Sequence, residues 1–365
     1  MQETITLDAD LVQEEFFDQG WTDGLPIVPP TRDRVDAMLA AVVTDDPDTL
    51  IGFLPARGRG VSIQQAAINA VMAGCRPEYF PVVLAALEAV FDESFNLHTV
   101  LTSTGGAAIG IIVSGPIASE IGMNSRHNVL GQGNRANATI GRAVRLVAMN
   151  VLGSKPGETD ASSFGHPGKF SLCFAEDPPP SPWEPIRRQL GYKLEDTTVT
   201  VIPVEGPHQF AQQLTDSTED VLRSFACSIR HPAWFSTGKG GHGVLLLGPE
   251  HTGFCLNSGW SQAEVRQYVY EHARVDVDEL QATGVHLEKN SQHDMSAGID
   301  GKIPSINSPD DILVVTAGGE GAGWSAWLPS WAPTKHAYRS TRRVRPTGEP
   351  LPDCGPDGCI VPWMR

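Results

Sequence analysis

The sequence predicts an α/β fold made of two duplicated modules, related by a pseudo-twofold axis, with mixed or largely parallel sheets. Segments with the apolar spacing of helices alternate along the chain with short, continuously apolar segments that are typical of buried strands. In addition, residues 103–125 and 236–258 share eight identical positions in a gapless alignment of 23. A repeated unit of this kind usually forms two similar halves that pack about an axis.

Residues 1–50 predict a helical and proline-rich segment. Residues 10–18 and 32–43 have the apolar spacing of two short amphipathic helices, and Thr31 stands at the cap position of the second. Residues 21–30 lie between them and contain three prolines, which exclude an intact helix or a central strand. We therefore expect an extended or turn-rich link between the two helices.

The first module is predicted to comprise residues 51–180. Ser62 and Gln65 have the spacing of a capping box, which predicts a helix that ends near Gly74. Three further elements are expected: a helix over 78–91, a buried strand over 109–114, and a long helix that follows the glycine-rich turn 131–134 and ends at Gly153. The proline-rich stretch 177–183 is a stiff connector and marks the module boundary.

The second module is predicted to comprise residues 181–345, followed by a C-terminal tail at 346–365. The residue patterns predict its elements in this order: a strand over 197–204, a helix over 218–226, a helix that starts at the capping box of Ser261 and Glu264, a polar surface segment over 286–309, and a buried strand over 311–317. Trp324, Trp327 and Trp331 follow and form what we call the tryptophan patch.

The charge of the chain argues against two classes of partner. Its 365 residues carry a formal net charge of −16, and neither a nucleic-acid backbone nor an anionic membrane attracts such a surface. The N-terminal residues lack the regions of a signal peptide, and the longest apolar run, at 107–118, is too short to cross a bilayer. Six cysteines in a chain of this length fit a reducing compartment. We expect a cytoplasmic protein.

The repeated loops are the first candidates for a binding site. Ser103 and Thr104 in the first copy correspond to Ser236 and Thr237 in the second, and a glycine follows each pair. Backbone N–H groups and hydroxyls in such a turn bind an anionic or carbonyl oxygen. The alternative is that the glycines serve only a tight turn before a buried strand.

A second candidate is the helix that follows the turn at 131–134. Asn134, Arg135 and Asn137 stand at its N-terminus, where the helix dipole favours an anion and an arginine can bind a carboxylate through two hydrogen bonds. The alternative is a capping role for Asn134, with the other two side chains solvated. The loop lacks the lysine of a phosphate-binding loop and the spacing of a dinucleotide-binding loop, so we expect no organic cofactor.

Two arginines and a cysteine complete the candidates outside the repeat. Arg57 and Arg59 lie in a glycine-rich loop, where they supply positive charge for a substrate or are solvated. Cys75 lies between two predicted helices, beside Arg76 and just before a helix N-terminus. Such surroundings lower the pKa of a thiol, so Cys75 is the candidate nucleophile, with a buried spacer as the alternative.

His98 and His231 occupy equivalent positions, each five residues before its Ser-Thr-Gly loop. Histidine titrates near neutral pH and is the commonest metal ligand, so the pair predicts acid–base catalysis or a metal ion on the axis. No zinc-binding spacing supports the metal. Cys354 and Cys359 enclose four turn-forming residues, and a disulfide, a metal clip and an inert pair all stay open.

Four longer motifs resemble a bacterial family. They are Trp-Thr-Asp-Gly-Leu-Pro-Ile-Val-Pro-Pro-Thr at 21–31, Ala-Val-Met-Ala-Gly-Cys-Arg-Pro-Glu-Tyr at 70–79, Gly-Asn-Arg-Ala-Asn-Ala-Thr-Ile-Gly-Arg at 133–142 and Ser-Pro-Trp-Glu-Pro at 181–185. Over most of residues 20–340 the chain is similar to a family often encoded beside, or fused to, proteins of the UGSC selenoprotein-like family.

The resemblance implies a shared site and a partner. The Cys75 loop, the Asn134 loop, Trp183 and Glu184 would belong to one site, and a UGSC-like redox protein would be the partner. Redox chemistry of the chain itself is not implied, because the two C-terminal cysteines do not match the spacing of the partner's motif.

These residues together predict a small-molecule enzyme, a hydrolase or lyase that acts on a small carboxylate-bearing or carbonyl substrate in the cleft between the modules. Arg135 and the Ser-Thr-Gly loops would bind the anion, a repeat histidine would move protons, and Cys75 would be the nucleophile. Two alternatives stay open. One is a metal-dependent hydratase or lyase that uses both histidines; the other is a non-catalytic subunit that binds a redox partner through the tryptophan patch. A homo-oligomer is compatible with all three.

Overall fold

The structure is a computed structural model that describes residues 11–44, 46–230, 241–283, 301–321, 323–345 and 349. The α-helices in these ranges are α1 (Val12–Asp18), α2 (Arg32–Leu39), α3 (Ile63–Ala73), α4 (Phe80–Val90), α5 (Leu97–Thr102), α6 (Pro116–Glu120), α7 (Arg135–Asn150), α8 (Ile186–Gln189), α9 (Thr218–Arg230), α10 (Pro249–Asn257), α11 (Gln262–His272) and α12 (Val277–Ala282). The strands are β1 (Leu50–Leu54), β2 (Arg59–Ser62), β3 (Ala108–Ser114), β4 (Leu172–Ala175), β5 (Thr198–Val204), β6 (His208–Ala211), β7 (Gly243–Leu247), β8 (Arg274–Asp276), β9 (Lys302–Pro304), β10 (Ile312–Thr316), β11 (Trp324–Pro329) and β12 (Ser340–Arg343). No helix in the described part of the chain is long and apolar enough to cross a membrane.

Two four-stranded sheets form the centre of the fold. The first has the strand order β4-β3-β5-β12, and the second has the order β10-β7-β11-β6. In each sheet the first two strands are parallel, and the two following pairs are antiparallel. The chain therefore has an α/β fold with mixed sheets, as its sequence predicts.

The molecule has four layers, with the two sheets face to face in the middle. Helices α4 and α7 cover the outer face of the first sheet, and α9 and α11 cover that of the second. The core between the sheets contains apolar side chains from both, among them Ile112, Phe174, Ile202, Leu246, Val315 and Leu328. Because most central strands are buried on both faces, their sequences are continuously apolar rather than alternating.

Each half of the chain contributes an edge strand to the sheet of the other half. After β5 in the first sheet, the chain crosses and forms β6 at the edge of the second. After β11 in the second sheet, it crosses back and forms β12 at the edge of the first. Residues 197–204, which the sequence places at the start of the second module, form β5 and pair with β3 and β12 in the first sheet. The module boundaries themselves stay predictions.

The sheets meet where the chain crosses between them. Val204, the last residue of β5, forms an antiparallel bridge with Ser330, which follows β11. Two backbone hydrogen bonds of 3.0 Å flank this bridge, one donated by each crossing segment. Each segment thus donates one backbone N–H to a carbonyl oxygen of the other: Glu205 to Pro329, and Trp331 to Pro203.

In β3 and β7, side chains that the gapless sequence alignment pairs do not point to equivalent faces of their sheets. The alignment matches Ile111 with Val244. In the structure Ile111 faces the helices outside its sheet, whereas Val244 faces the other sheet; Leu245 is the residue that faces its own helices. Residues that the alignment pairs therefore face opposite sides of their sheets here, since neighbouring side chains of a strand point to opposite faces.

Local signals at helix ends are confirmed. The capping boxes that begin at Ser62 and Ser261 are both formed. Asn134 is the N-cap of α7, and Gly74 ends α3 with a φ of 93° that favours glycine. These features depend on neighbouring residues, so the sequence is sufficient to predict them.

The polar surface segment expected at 286–309 is described only from residue 301 onward. It contains β9, which pairs with β8. Ile303 of β9 is fully buried and packs with Val275 and Leu280. The expectation of a surface segment is wrong for this strand, because its apolar side chain contributes to a small core.

Candidate functional site

A small cavity lies at the end of the first sheet where β3 and β4 begin. The empty space in and in front of it, open solvent included, amounts to about 300 Å³. Its wall is formed by the loop before β3, by α7 and by the turn that leads into β4. The charged side chains of this wall are Arg145 and Lys169.

Gly141 allows α7 to lie close to the start of β4. A Cβ atom at this position would be 2.3 Å from Ser171 Oγ and 3.1 Å from Cys173 Cβ. Any larger residue would therefore force α7 away from the sheet. Arg145 is one turn later on the same face of α7, and this position brings it to the cavity wall.

Arg145 and Lys169 share the carboxylate of Asp160. Lys169 Nζ lies 2.8 Å from each carboxylate oxygen, and Arg145 Nη2 donates to Oδ2. Ser162 Oγ donates to Oδ1 at 2.5 Å. The side chains of Asp160, Arg145 and Lys169 are only 4%, 12% and 14% exposed. We call these four residues the cavity cluster; two cations and one anion give it a net charge of +1.

The cavity cluster shifts the pKa values of its members in a definite direction. Burial raises the pKa of Asp160, but hydrogen bonds from Lys169 and Ser162 and the charge of Arg145 outweigh burial and bring the pKa to about 2. Burial lowers the pKa of Lys169, and the charge of Arg145 lowers it too, against the raising effect of Asp160. The carboxylate is thus ionised at neutral pH, and the lysine releases its proton more readily than a solvated lysine.

The first Ser-Thr-Gly loop lies against the cavity cluster. The N–H of Ser163 donates to the Thr104 carbonyl at 2.9 Å, and Ser162 Oγ lies 3.4 Å from the Ser103 carbonyl oxygen. The Ser103 hydroxyl accepts from the N–H of Gly105 at 2.9 Å. The loop therefore meets the cluster through carbonyl oxygens, not through the free amides that the sequence predicts for anion binding.

His166 lies between the cavity and the crossing point of the sheets. Its Nε2 is 3.4 Å from the Val204 carbonyl oxygen, and its Nδ1 accepts from the N–H of Gly168 at 3.2 Å. Burial lowers the pKa of His166; the bond to Val204 opposes this effect, and the charge of Lys169 adds to it. The ring is therefore neutral at pH 7 and carries its proton on Nε2.

The three residues predicted to bind an anion at the start of α7 have structural partners. Asn134 Oδ1 accepts from the N–H of Asn137 at 3.0 Å and caps the helix. The buried Asn137 side chain bonds both backbone groups of Asn124, and Arg135 Nε donates to the Gly74 carbonyl at 2.9 Å. For Asn137, whose amide is buried and bonded to Asn124, substrate binding stays a prediction. For Asn134 and Arg135 it stays a prediction, and neither residue lines the cavity.

Arg57 and Arg59 bind the segment at the C-terminal end of α7 rather than the cavity. Arg57 donates to Thr159 Oγ1 at 2.9 Å, and Arg59 donates to the Val151 carbonyl at 3.1 Å. Positive charge is favourable near the carbonyl groups that end a helix. The two arginines therefore stabilise this segment, and their contact with a substrate stays a prediction.

Cys75 lacks the surroundings of a nucleophile. The residue is 7% exposed, and its Sγ contacts the Thr139 carbonyl oxygen at 3.3 Å. Burial raises the pKa of the thiol to about 12, although the bond to Thr139 and the charges of Arg135 and Arg142 lower it. The expectation of a lowered pKa is wrong, and the thiol stays protonated at neutral pH.

Only the first of the paired histidines can be located. The residues His231, Ser236, Thr237, Cys354 and Cys359 lie outside the described ranges. His98 is on α5, one turn before the cavity-lining Leu101, and its buried Nδ1 has no hydrogen-bond partner among the described residues. In the same ranges, no three His, Cys, Asp or Glu side chains lie close enough to hold a metal ion. Whether the histidine pair binds a metal ion therefore depends on the position of His231, and this metal site stays a prediction.

The motifs of the family resemblance lie in two separate places. Asp23 of the first motif forms a bidentate ion pair with Arg142 of the third, with both distances 2.8 Å. Trp183 instead donates from Nε1 to the Trp260 carbonyl at 2.8 Å, and it packs in the core of the second sheet. The implied site that joins Cys75 and Asn134 to Trp183 and Glu184 stays a prediction.

The tryptophan patch is not an exposed surface. Trp327 is fully buried, and Trp331 is partly buried. Trp324 is the one extensively exposed member of the three. The expectation of an exposed surface is wrong for Trp327, because β11 places its side chain in the core of the second sheet. Docking of a partner at the other two stays a prediction.

The cavity cluster and His166 are not among the residues predicted from sequence. The length of one connection could have pointed to them. Residues 151–171 join α7 to β4 without an α-helix or strand. Connections of this length in a compact domain are usually functional, and this one is rich in glycine and polar residues.

No protein-family profile and no curated protein sequence matches this chain. The geometry of the cavity cluster therefore carries the functional argument.

Proposed function

We propose that the protein is a small-molecule enzyme, a hydrolase or lyase, that acts on a small carboxylate-bearing or carbonyl substrate at the cavity beside Arg145 and Lys169. The observation that carries the proposal is the net positive charge of a largely buried cluster in the cavity wall. A charge that is shielded from water interacts strongly with an opposite charge. A small carboxylate is therefore attracted to the cavity even though the whole chain is acidic.

Arg145 has hydrogen-bond donors left for such a ligand. Among the described residues it makes one ion pair, through Nη2 to Asp160. The rest of the planar guanidinium group retains N–H donors that match the geometry of a carboxylate. We assign carboxylate binding to Arg145 in place of Arg135, which is exposed and bonded to Gly74.

We also infer that the two sheets are copies of one duplicated module with exchanged edge strands. The same strand order, the same pairing directions and the reciprocal bridge of Val204 and Ser330 support this inference. His166 contacts the Val204 carbonyl. The proposed site is thus next to the pseudo-twofold axis, where two modules can shape one cavity.

The proposed function is tested by titrating the full chain with propionate and measuring binding by calorimetry or NMR. We expect saturable binding that Arg145→Met weakens about tenfold or more, because a hydrogen bond to a charged group contributes about 1.5–3 kcal/mol. Arg188→Met is the matched control, since Arg188 forms an exposed pair with Glu184 outside the cavity.

A further variant separates lost binding from a folding defect. Arg145→Lys keeps the positive charge beside Asp160 but loses the planar fork, so we expect normal stability and weaker binding. Equal affinity of the wild-type chain and a folded Arg145→Met variant would overturn the proposal.

A further inference from the structure

Lys169 has contacts that carboxylate binding alone does not require. Lys169 lines the cavity, and its Nζ lies 2.8 Å from Asp160 Oδ1 and 2.5 Å from Ser162 Oγ. An amine beside a proton acceptor and a hydroxyl has the partners that attack on a carbonyl carbon needs. We propose that Lys169 forms a covalent imine with the carbonyl carbon of a 2-oxo acid whose carboxylate is bound by Arg145. This inference rests on the proposed function and names its substrate class and its attacking group.

The spacing of the two cations fits this substrate class. Lys169 Nζ and Arg145 Nη2 both contact Oδ2 of Asp160. The two nitrogens are therefore no more than two hydrogen-bond lengths, about 6 Å, apart. In a 2-oxo acid the carboxylate and the carbonyl are on adjacent carbons, so one small molecule can meet both residues. A carboxylic acid without the carbonyl can bind Arg145 through its carboxylate, but it offers Lys169 no carbonyl carbon to attack.

The surroundings of Lys169 favour its neutral, attacking form. Burial and the adjacent charge of Arg145 both lower the pKa of Lys169. A lysine that is desolvated or placed next to another cation is activated for attack on carbonyl groups. Asp160 opposes this effect, because its hydrogen bond and its charge hold the proton on Lys169.

The proposed step is balanced in atoms and charge. The ammonium group of Lys169 releases one proton to solvent, and the neutral amine forms a bond to the carbonyl carbon. A second proton moves from the nitrogen to the former carbonyl oxygen, and the same oxygen takes up one proton from solvent. The C–O bond then breaks and water leaves. One ammonium group and one carbonyl give one iminium ion and one water, with the positive charge on Nζ.

Reductive trapping tests the imine. The full chain is incubated with pyruvate and sodium cyanoborohydride, which delivers a hydride to an iminium carbon, and the product is located by intact mass and peptide mapping. We expect one adduct per chain, on Lys169 among the seven lysines of the sequence. Lys193→Met, which removes an exposed lysine, should give the same adduct as the wild type.

Lys169→Arg separates the imine from carboxylate binding. This variant keeps a positive charge beside Asp160, so we expect retained propionate binding and no adduct. The rate of trapping in the wild type should also rise with pH with a midpoint below about 10.4, the value of a solvated lysine. This pH profile would not result from a merely structural role of Lys169.

The outcomes of these experiments distinguish a failure of the imine from a failure of the carboxylate site. If pyruvate competes with propionate but no adduct forms on Lys169, the imine is wrong and the carboxylate site stands. If neither acid binds and no adduct forms, the proposed function is wrong and the imine with it. Adducts spread evenly over exposed lysines would also overturn the imine.

Discussion

At the scale of single residues, Asp160 and Glu176 show how direct neighbours set the charge of a buried acid. Asp160 contacts two cations and has a pKa of about 2. Glu176 follows β4 and accepts hydrogen bonds from Ser114 and from the N–H of Ile186, the latter at 2.8 Å. Burial raises the pKa of Glu176 to about 7, because these bonds and the charge of Arg187 do not outweigh the loss of water.

Glu176 should make the protein less stable as the pH rises. Its folded-state pKa of about 7 lies above the unfolded value of about 4.3, so its stabilisation is present below that value and is lost as the pH rises through the folded pKa. We expect a loss of about 3 kcal/mol in the free energy of unfolding between pH 4 and pH 8, at about 1.4 kcal/mol per pKa unit. Urea unfolding over this range measures it.

Glu176→Gln should remove this pH dependence. Glutamine can accept from Ile186 and donate to Ser114, as the protonated acid does. Glu184→Gln is the control, because Glu184 is exposed and its substitution should leave the pH dependence intact. An unchanged slope in Glu176→Gln would assign the effect to other groups.

Cys75 and Cys227 should differ in their reactivity with iodoacetamide. Cys227 is exposed, whereas Cys75 is buried and has a pKa of about 12. Only thiolates react at a useful rate, so native protein at pH 8 should be labelled at Cys227, and Cys75 should be labelled only after denaturation. Peptide mass spectrometry checks this. Labelling of both cysteines at one rate in the native protein would restore Cys75 as a candidate nucleophile.

At the scale of elements, α7 organises the first half of the molecule. Its middle presents Arg142 to Asp23 of the N-terminal motif and Arg145 to the cavity. Its N-terminus is capped by Asn134, and the carbonyl of Val151 beyond its C-terminus accepts from Arg59. One helix therefore joins the packing of the proline-rich segment to the geometry of the candidate site.

The cap of α7 should contribute to stability and not to ligand binding. Asn134→Ala removes the hydrogen bond to the N–H of Asn137 and should lower the free energy of unfolding by about 1 kcal/mol. Asn134→Asp should restore most of this loss, because aspartate caps equally well. Denaturant unfolding and propionate titration measure the two effects. Unchanged stability with lost propionate binding would return Asn134 to the binding site.

At the scale of the whole molecule, the edge strands β6 and β12 join the two sheets. β12 pairs with β5 in the first sheet, and β6 pairs with β11 in the second. The core between the sheets contains side chains from both. Neither half can complete its sheet alone, because each lacks the edge strand that the other supplies.

The chain should therefore unfold in one cooperative transition. Calorimetry and circular dichroism should give coincident curves, since the loss of either sheet exposes the shared core. A chain truncated after residue 335 loses β12 and should lose the folded first sheet as well. Two resolved transitions, or a stably folded fragment of residues 1–180, would show that the halves are independent.

The sequence by itself determined the local elements of this protein. The capping boxes at Ser62 and Ser261, the start of α7 and the buried strand β3 all follow from residues close together in the chain. The repeat also drew attention to the Ser103 loop, which lies beside the cavity. These features are predictable because caps and apolar periodicity act over a few residues.

Only the tertiary structure decided which side chains form the site and how the strands pair. Arg135 and Arg145 are both arginines of α7, and no local pattern distinguishes them. Arg135 meets the end of α3, whereas Arg145 meets Asp160 and Lys169 after the loop before β4 has folded against the helix. The exchange of β6 and β12 likewise depends on pairing between distant segments. Contacts of this kind are set by the packing of the whole sheet, because a strand has no preference of its own for one distant partner over another.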